Sequence, residues 1–214
     1  MKHAVIRVRV EEPDYSEFPT PEFSCYKLVY GNVREIIPDD APKPYGKYVL
    51  ITHYVDANLM HCLLTGRSVT GILTFLNKTP VDWLSKKQPT VETATYSSEF
   101  VATRICIERL IDLRFTLRYL GVPIRNQDYM FGDNKSVVNS STIPHGKLSK
   151  RHNALSFHRV REAIASKIVN FIHIPGTTNP ADILSKHWTY SQFCNVLNSI
   201  LFWEVNTADL IDDQ

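Results

Sequence analysis

The sequence predicts an α/β domain, and three observations carry that expectation. Between Lys47 and Phe202 the segments follow the order three strands, helix, strand, helices, strand, helix. A run of hairpin strands followed by alternating strands and helices builds a sheet with helices packed on it. The 214 residues, 43% hydrophobic and 21% charged, suffice for one globular domain with tails or two very small ones, and exclude a coiled coil, a collagen and a fully disordered chain. Six of the twelve prolines (Pro13, Pro19, Pro21, Pro38, Pro42 and Pro44) precede that segment order and mark its boundary.

Charge follows the same boundary. Glu11 to Ala41 carries eight acids against Lys27 and Arg34, the tail after Trp203 adds four more acids, and Pro42 to Trp203 is left with a balance of +9. Within it, His145 to Lys167 holds Lys147, Lys150, Arg151, Arg159, Arg161 and Lys167 against one acid, Glu162, a density suited to a polyanion. The expected organisation is an acidic, proline-rich tether over 1–45, a domain over 46–203 and an acidic tail over 204–214. Tyr15, Phe18, Phe23 and Tyr26 could dock the tether on the domain. The longest uncharged stretch near the end, Thr189 to Trp203, is too short and too polar to span a bilayer, and the N-terminus lacks an apolar targeting segment. The expectation is an intracellular protein, cytoplasmic or nuclear, with its four cysteines (Cys25, Cys62, Cys106 and Cys194) as free thiols.

Each element has its local cause. Lys47 to Asp56 is β-branched and aromatic without a turn residue, a strand buried on both faces that ends on an acid. Ser68–Leu76 and Val81–Ser85 form a hairpin around Asn77-Lys78-Thr79-Pro80. Cys106, Leu110, Leu113, Leu117 and Leu120 step by four and three along a helix over 97–120, and the stripe continued backwards through Thr103 places Glu99 in the first turn facing the sheet. Gly121-Val122-Pro123 stops that helix. Tyr129–Gly132 is a short strand running into Asp133. Helices over 134–140 and 151–166 follow, then a strand over 168–174. Asn179-Pro180 opens a helix bearing Asp182 in its first turn, and Phe193, Leu197 and Leu201 mark a last amphipathic segment.

Four of the ten acids in the basic region therefore sit at element ends or on an inward helix face: Asp56, Glu99, Asp133 and Asp182. Carboxylates that converge repel one another and are costly to desolvate unless cations neutralise them. Oxygen ligands suit Mg²⁺, with Mn²⁺ as substitute, and two such ions about 3.5–4 Å apart clamp the attacking and leaving oxygens of a phosphodiester.

The flanking words extend this. Tyr54-Val55-Asp56-Ala57-Asn58, Thr65-Gly66-Arg67-Ser68-Val69-Thr70-Gly71, Asp82-Trp83-Leu84-Ser85-Lys86-Lys87-Gln88, Tyr96-Ser97-Ser98-Glu99-Phe100-Val101-Ala102, Gly132-Asp133-Asn134-Lys135-Ser136 and Asn179-Pro180-Ala181-Asp182-Ile183-Leu184-Ser185-Lys186 stand in this order. Over about residues 46 to 190 they resemble the ribonuclease H domain of copia-type retrotransposon polyproteins. The resemblance implies a mixed five-stranded sheet flanked by helices, Mg²⁺-dependent cleavage of the RNA strand of RNA–DNA hybrids, and a place behind a reverse transcriptase. It carries the catalytic and metal-binding roles onto Asp56, Glu99, Asp133 and Asp182. Two departures are visible: no Tyr-x-Asp-Asp polymerase word occurs, which points to a fragment, processed piece or separate product, and the loop Ile174–Asn179 lacks the histidine of cellular ribonucleases H. His173, just before it, is expected to end a strand.

Lys86, Lys87, Gln88, Lys150, Arg151 and His152 are candidate contacts to a hybrid, and Asn134 is a candidate ribose contact as well as a helix cap. His53, His61 and Cys62 lack a fourth partner for a soft-metal site. No Ser/His/Asp neighbourhood emerges around Ser97, Ser98 or Ser68. The rival expectation is a ribonuclease H-like module retained for nucleic-acid binding or assembly without turnover.

Overall fold

The computed structural model describes residues 4–6, 9–20, 24–143, 146–148 and 151–203. Lys150, Phe23 and the acidic tail 204–214 lie outside the described residues. Three strands, β2 (Ile51–Cys62), β3 (Arg67–Leu76) and β4 (Thr79–Lys87), form an antiparallel meander numbered after a three-residue β1 (Ala4–Ile6) and a one-turn α1 (Lys27–Tyr30) in the arm. The turn at Asn77-Lys78 puts Asn77 at φ 54°, the left-handed conformation that asparagine tolerates best after glycine.

The chain then crosses over. Helix α2 (Thr95–Tyr119) carries it to β5 (Asp128–Gly132), which pairs parallel with β2, and α3 (Lys135–Thr142) and α4 (Ala154–Ala165) carry it to β6 (Val169–His173), parallel to β5. Parallel neighbours require such crossovers. The five-stranded mixed sheet has the order β4-β3-β2-β5-β6, which is the sheet of the ribonuclease H fold. A short α5 (Asp182–Ser185), α6 (Tyr190–Ile200) and β7 (Leu201–Trp203) follow, and β7 pairs with β1 in a separate two-stranded sheet.

The core lies between the sheet and α2 and α4. Val55, Ala57, Ile72, Met130, Val169 and Phe171 meet Phe100, Ala102, Cys106, Ile107, Leu110, Val160 and Ile164 there. The stripe on α2 is buried at Glu99, Thr103, Cys106, Leu110 and Leu117, whereas Leu120 is exposed because the helix has already ended at Tyr119. Gly121, at φ 72°, takes the left-handed cap position. Several boundaries differ from the sequence expectation by a few residues, and two of them bear on the acids. Asp56 lies inside β2, because the hairpin continues past it to Cys62, and Glu99 is the fifth residue of α2, because the helix starts at Thr95.

The acidic arm is anchored at several points. Tyr15 and Phe18 pack on Phe131, with ring centroids 5.2 and 5.4 Å away, and so cover the sheet face opposite α2, where Tyr54 stacks on Phe131. Tyr26 is buried, donates its hydroxyl to the Ser141 carbonyl (2.7 Å), and lies under the guanidinium of Arg161. Glu35 meets two arginines of α2, with Arg114 Nη2 and Arg118 Nη2 each 2.7 Å away, and Arg114 pairs on its other side with buried Asp128. Burial alone would raise the Glu35 pKa, but the two guanidinium forks pull it down to about 2. All four cysteines are free.

Because Glu35 has a depressed pKa in the folded state, the stability it contributes is present above its unfolded pKa of about 4.3 and is lost as pH falls towards about 2. Glu35→Gln is expected to cost about 1.5–3 kcal/mol at pH 7, the range for a hydrogen bond to a charged group. It should also flatten the stability profile between those two pH values. Urea titrations of both proteins across that range check this, and parallel profiles would show that Glu35 does not anchor the arm.

Candidate active site

The site forms where β2, α2, β5 and α5 meet. Asp56 comes from β2, opposite Gly71 of β3. Glu99 comes from the inward face of α2, and Asp133 follows the last residue of β5. One carboxylate oxygen from each of these three lies within 4.8 Å of the others, and among the described residues this is the one such group of three or more acidic, histidine or cysteine ligand atoms. Asp56 is 1% and Glu99 5% exposed. The cleft above them, about 310 Å³, is lined also by Asn58, Leu59, Thr95, Asn134 and Lys186.

Asp182 sits beside this group rather than within it. Its Oδ2 is 2.8 Å from Lys186 Nζ, which is also 3.4 Å from Asp56 Oδ1. Its Oδ1 is buried with no hydrogen-bond partner. The other oxygen of Asp56 accepts from the Ser185 hydroxyl. Sequence reasoning gave no role to Ser185 and Lys186; the signal was their spacing, three and four residues after Asp182, which shares one helix face with it.

Close backbone approach makes the arrangement possible. A Cβ at Gly71 would stand 2.7 Å from the Ala181 carbonyl oxygen and 3.0 Å from the Ser185 nitrogen, so only glycine lets α5 lie against β3. Asn179 fixes the approach, its Nδ2 donating to the Val55 carbonyl (3.0 Å) and its Oδ1 accepting from the Ala181 amide (3.1 Å).

The electrostatics record the crowding. Burial first, then the charges of Asp56 and Asp133, push Glu99 well above the usual carboxylate range. Asp133 is raised by burial and by Asp56. Asp182 is raised to about 6, since burial outweighs the hydrogen bond from Lys186 and Asp56 adds to it. An all-oxygen donor set that strains against its own charge fits a hard divalent cation.

The remaining candidates separate. Lys86, Lys87 and Arg151 are exposed. Gln88 is corrected: it is buried, donating to Thr70 Oγ1 (3.0 Å) and the Ser98 carbonyl (2.8 Å), so it ties β4 to α2 and has no surface to offer a ligand. His152 is half exposed, with Nε2 3.2 Å from Glu92. The Asn134 side chain caps α3, accepting from the Ser136 and Val137 amides, while it lines the cleft. His173 ends β6 as expected, with Nε2 3.1 Å from the Asp133 carbonyl oxygen. His53 is buried against Thr74, whereas His61 stacks on His187, so the two histidines face different neighbours. Among the described residues no helix is long and apolar enough to cross a membrane.

If the cluster binds a divalent ion only when folded, a tenfold excess over Kd adds about 1.4 kcal/mol, or about 3–6 °C for a domain of this size. Mg²⁺ or Mn²⁺ should raise the melting temperature by that order in the wild type and much less in Asp133→Asn. Equal shifts in the two proteins would remove Asp133 from the site.

Several known proteins are similar to this chain. The chain is 25% identical over 142 residues to the retrovirus-related Pol polyprotein from transposon TNT 1-94 of Nicotiana tabacum, covering 66% of this chain and 10% of that protein. It is 24% identical over 133 residues to the corresponding polyprotein from transposon RE2 of Arabidopsis thaliana, covering 62% and 9%. The chain thus spans about a tenth of the length of these curated relatives. No protein-family model matches. Among solved structures, LC11-RNase H1 in complex with RNA/DNA hybrid superposes with a TM-score of 0.51 at 18% identity, covering 63% of this chain and 93% of that one. RNase H1 from Halobacterium salinarum gives 0.48 at 14% identity, covering 70% and 98%. The chain thus has a ribonuclease H-like fold and is similar in sequence to a segment of the Pol polyproteins of transposons TNT 1-94 and RE2.

Proposed function

We propose that this domain cleaves the RNA strand of RNA–DNA hybrids, with Asp56, Glu99 and Asp133 holding divalent metal and Asp182 contributing from the adjoining helix. The observation that carries this reading is the convergence of three carboxylates from three separate elements in one cleft. Such a cluster opposes folding unless it serves a cation. Mg²⁺ or Mn²⁺ bound there would neutralise the acids and act as a Lewis acid towards a phosphodiester.

The chain's own groups supply the rest. Burial of Asp56 and Glu99 excludes bulk water from one side of the cleft, while Asp133, partly exposed, faces the open side. With its oxygen engaged in capping α3, Asn134 presents its amide N–H groups to a ribose hydroxyl. Lys86, Lys87 and Arg151 would contact phosphates, which reads duplex shape with little base preference. Hydrolysis breaks the phosphorus–O3′ bond: water delivers hydroxide to phosphorus and a proton passes to the leaving oxygen, giving 5′-phosphate and 3′-hydroxyl ends. In this reading residues 46–203 form the nuclease domain, 1–45 the acidic arm and 204–214 an acidic tail. Its neighbour in the parent polyprotein would be a reverse transcriptase.

A labelled hybrid incubated with the protein in Mg²⁺, Mn²⁺ or EDTA tests the reading. Cleavage confined to the RNA strand and abolished by EDTA is expected, and Asp133→Asn should lose turnover while retaining fold and hybrid binding. Binding without cleavage in the wild type would establish the silent nucleic-acid-binding module instead.

The surface assignment has its own measurement. Arg151→Glu should weaken hybrid binding across unrelated sequences and reduce the slope of log K against log salt by about 1, because each phosphate contact releases close to one counterion. An unchanged slope would return Arg151 to a solvated helix end.

A further inference from the structure

Lys186 has a place that the metal reading leaves unexplained. Its ammonium lies between two carboxylates, 2.8 Å from Asp182 Oδ2 and 3.4 Å from Asp56 Oδ1, and among the described residues no other cation contacts either acid. The placement is built into the backbone. The Lys186 amide donates to the Asp182 carbonyl (3.0 Å), the Trp188 indole donates to the same carbonyl (2.9 Å), and the Ser185 hydroxyl reaches Asp56. Gly71 lets the whole segment press against β3.

The consequence is a division of the carboxylates. Asp56, Glu99 and Asp133 offer three oxygens to one ion, whereas the Asp56–Asp182 side already holds a positive charge. The partnerless Asp182 Oδ1 is an acceptor beyond what the ammonium satisfies. A second divalent ion on that side would meet Lys186 at short range, where like charges oppose each other strongly.

We propose that Lys186 is a resident cation for the Asp56–Asp182 side of the cleft: the first divalent ion seats on Asp56, Glu99 and Asp133, and a second enters only by displacing the Lys186 ammonium from Asp182. This rests on the cluster being a metal site. It adds that the protein itself sets how many ions load and in what order. Lys186 is thus a positioning residue: in the metal-free protein it screens Asp56 from Asp182, and on full loading it swings out along its own flexible stem, being about one-third exposed.

Mn²⁺ titration followed by electron paramagnetic resonance, with parallel melting curves, tests this without any assay of turnover. The wild type should bind one ion tightly and a second about tenfold or more weakly. Lys186→Met should tighten the second site by about that factor, lower the melting temperature of the metal-free protein and enlarge its rise with Mn²⁺. Lys186→Arg should behave as the wild type. Lys186→Gln carries the same expectation as Lys186→Met should the methionine variant fail to fold. Binding by a charge-removed variant but not by the wild type would overturn the loading order, because the first ion is proposed to seat with Lys186 in place. Superimposable titrations of the wild type and the charge-removed variant, including two curves without binding, or two equal sites in the wild type, would overturn it. Hybrid cleavage by the same proteins separates the two readings: cleavage with superimposable titrations removes the role of Lys186 alone, and differing titrations without cleavage remove the nuclease alone.

Discussion

Mutual repulsion among buried carboxylates is the constraint on which this structure turns. Three acids held with oxygens within 4.8 Å of one another, two of them buried, cannot all be ionised cheaply, and the fold does not relieve them by spreading apart. The reason is that each acid is fixed by something larger. Asp56 is locked into a strand paired on both sides, Glu99 into the core face of a 25-residue helix, and Asp133 to the end of a central parallel strand. The sheet and the helix acquire their stability from apolar packing elsewhere, and that packing holds the charges together. A cation, whether a divalent ion or the Lys186 ammonium, then completes a site whose geometry does not depend on it.

Helix α2 links this end of the molecule to the opposite one. Glu99 and Arg114 are 15 residues apart, about 22 Å along a helix, well beyond the screening length of about 8 Å at physiological salt. The acidic cluster and the Arg114–Glu35–Arg118–Asp128 network therefore operate independently. The helix orientation serves both, because its N-terminal end favours negative charge and its C-terminal end favours Arg114 and Arg118. The acidic arm takes its place at the end where cations are in excess.

Much of the fold was legible because each element carried its own local signal. The α2 stripe from Leu117 back to Glu99 located a buried acid, the Asn77 turn located the hairpin, and the tract after Asp133 located α3 together with its Asn134 cap. What stayed hidden depended on contacts between distant segments. Gln88 stands in a basic, exposed-looking run, yet Thr70 and Ser98 draw it inwards where β4 meets α2. Lys186 received no role from the sequence, since nothing local announces that Gly71, 115 positions earlier, leaves room for it to reach Asp56. The continuation of β2 past Asp56 was hidden for a related reason: its partner residues on β3 decide it.

The arm shows how composition can understate structure. Residues 9–46 contain too many prolines and acids to sustain long elements, and the longest helix among the described residues there is a single turn. Order comes instead from separate anchors, each using a different interaction: Tyr15 and Phe18 by aromatic packing, Tyr26 by burial and a hydroxyl bond, Glu12 and Glu35 by arginine pairs. Anchors spread along a chain lower the entropy cost of each next one, because every attachment shortens the loop that remains to be closed. The same acids also remove Arg114, Arg118 and Arg125 from the pool of free cations. Lys86, Lys87 and Arg151 are exposed and have no such acidic partner from the arm among the described residues. An acidic arm of this kind is thus held by charge as well as by aromatic packing, and each pair it forms withdraws one arginine of the domain from contact with other anions.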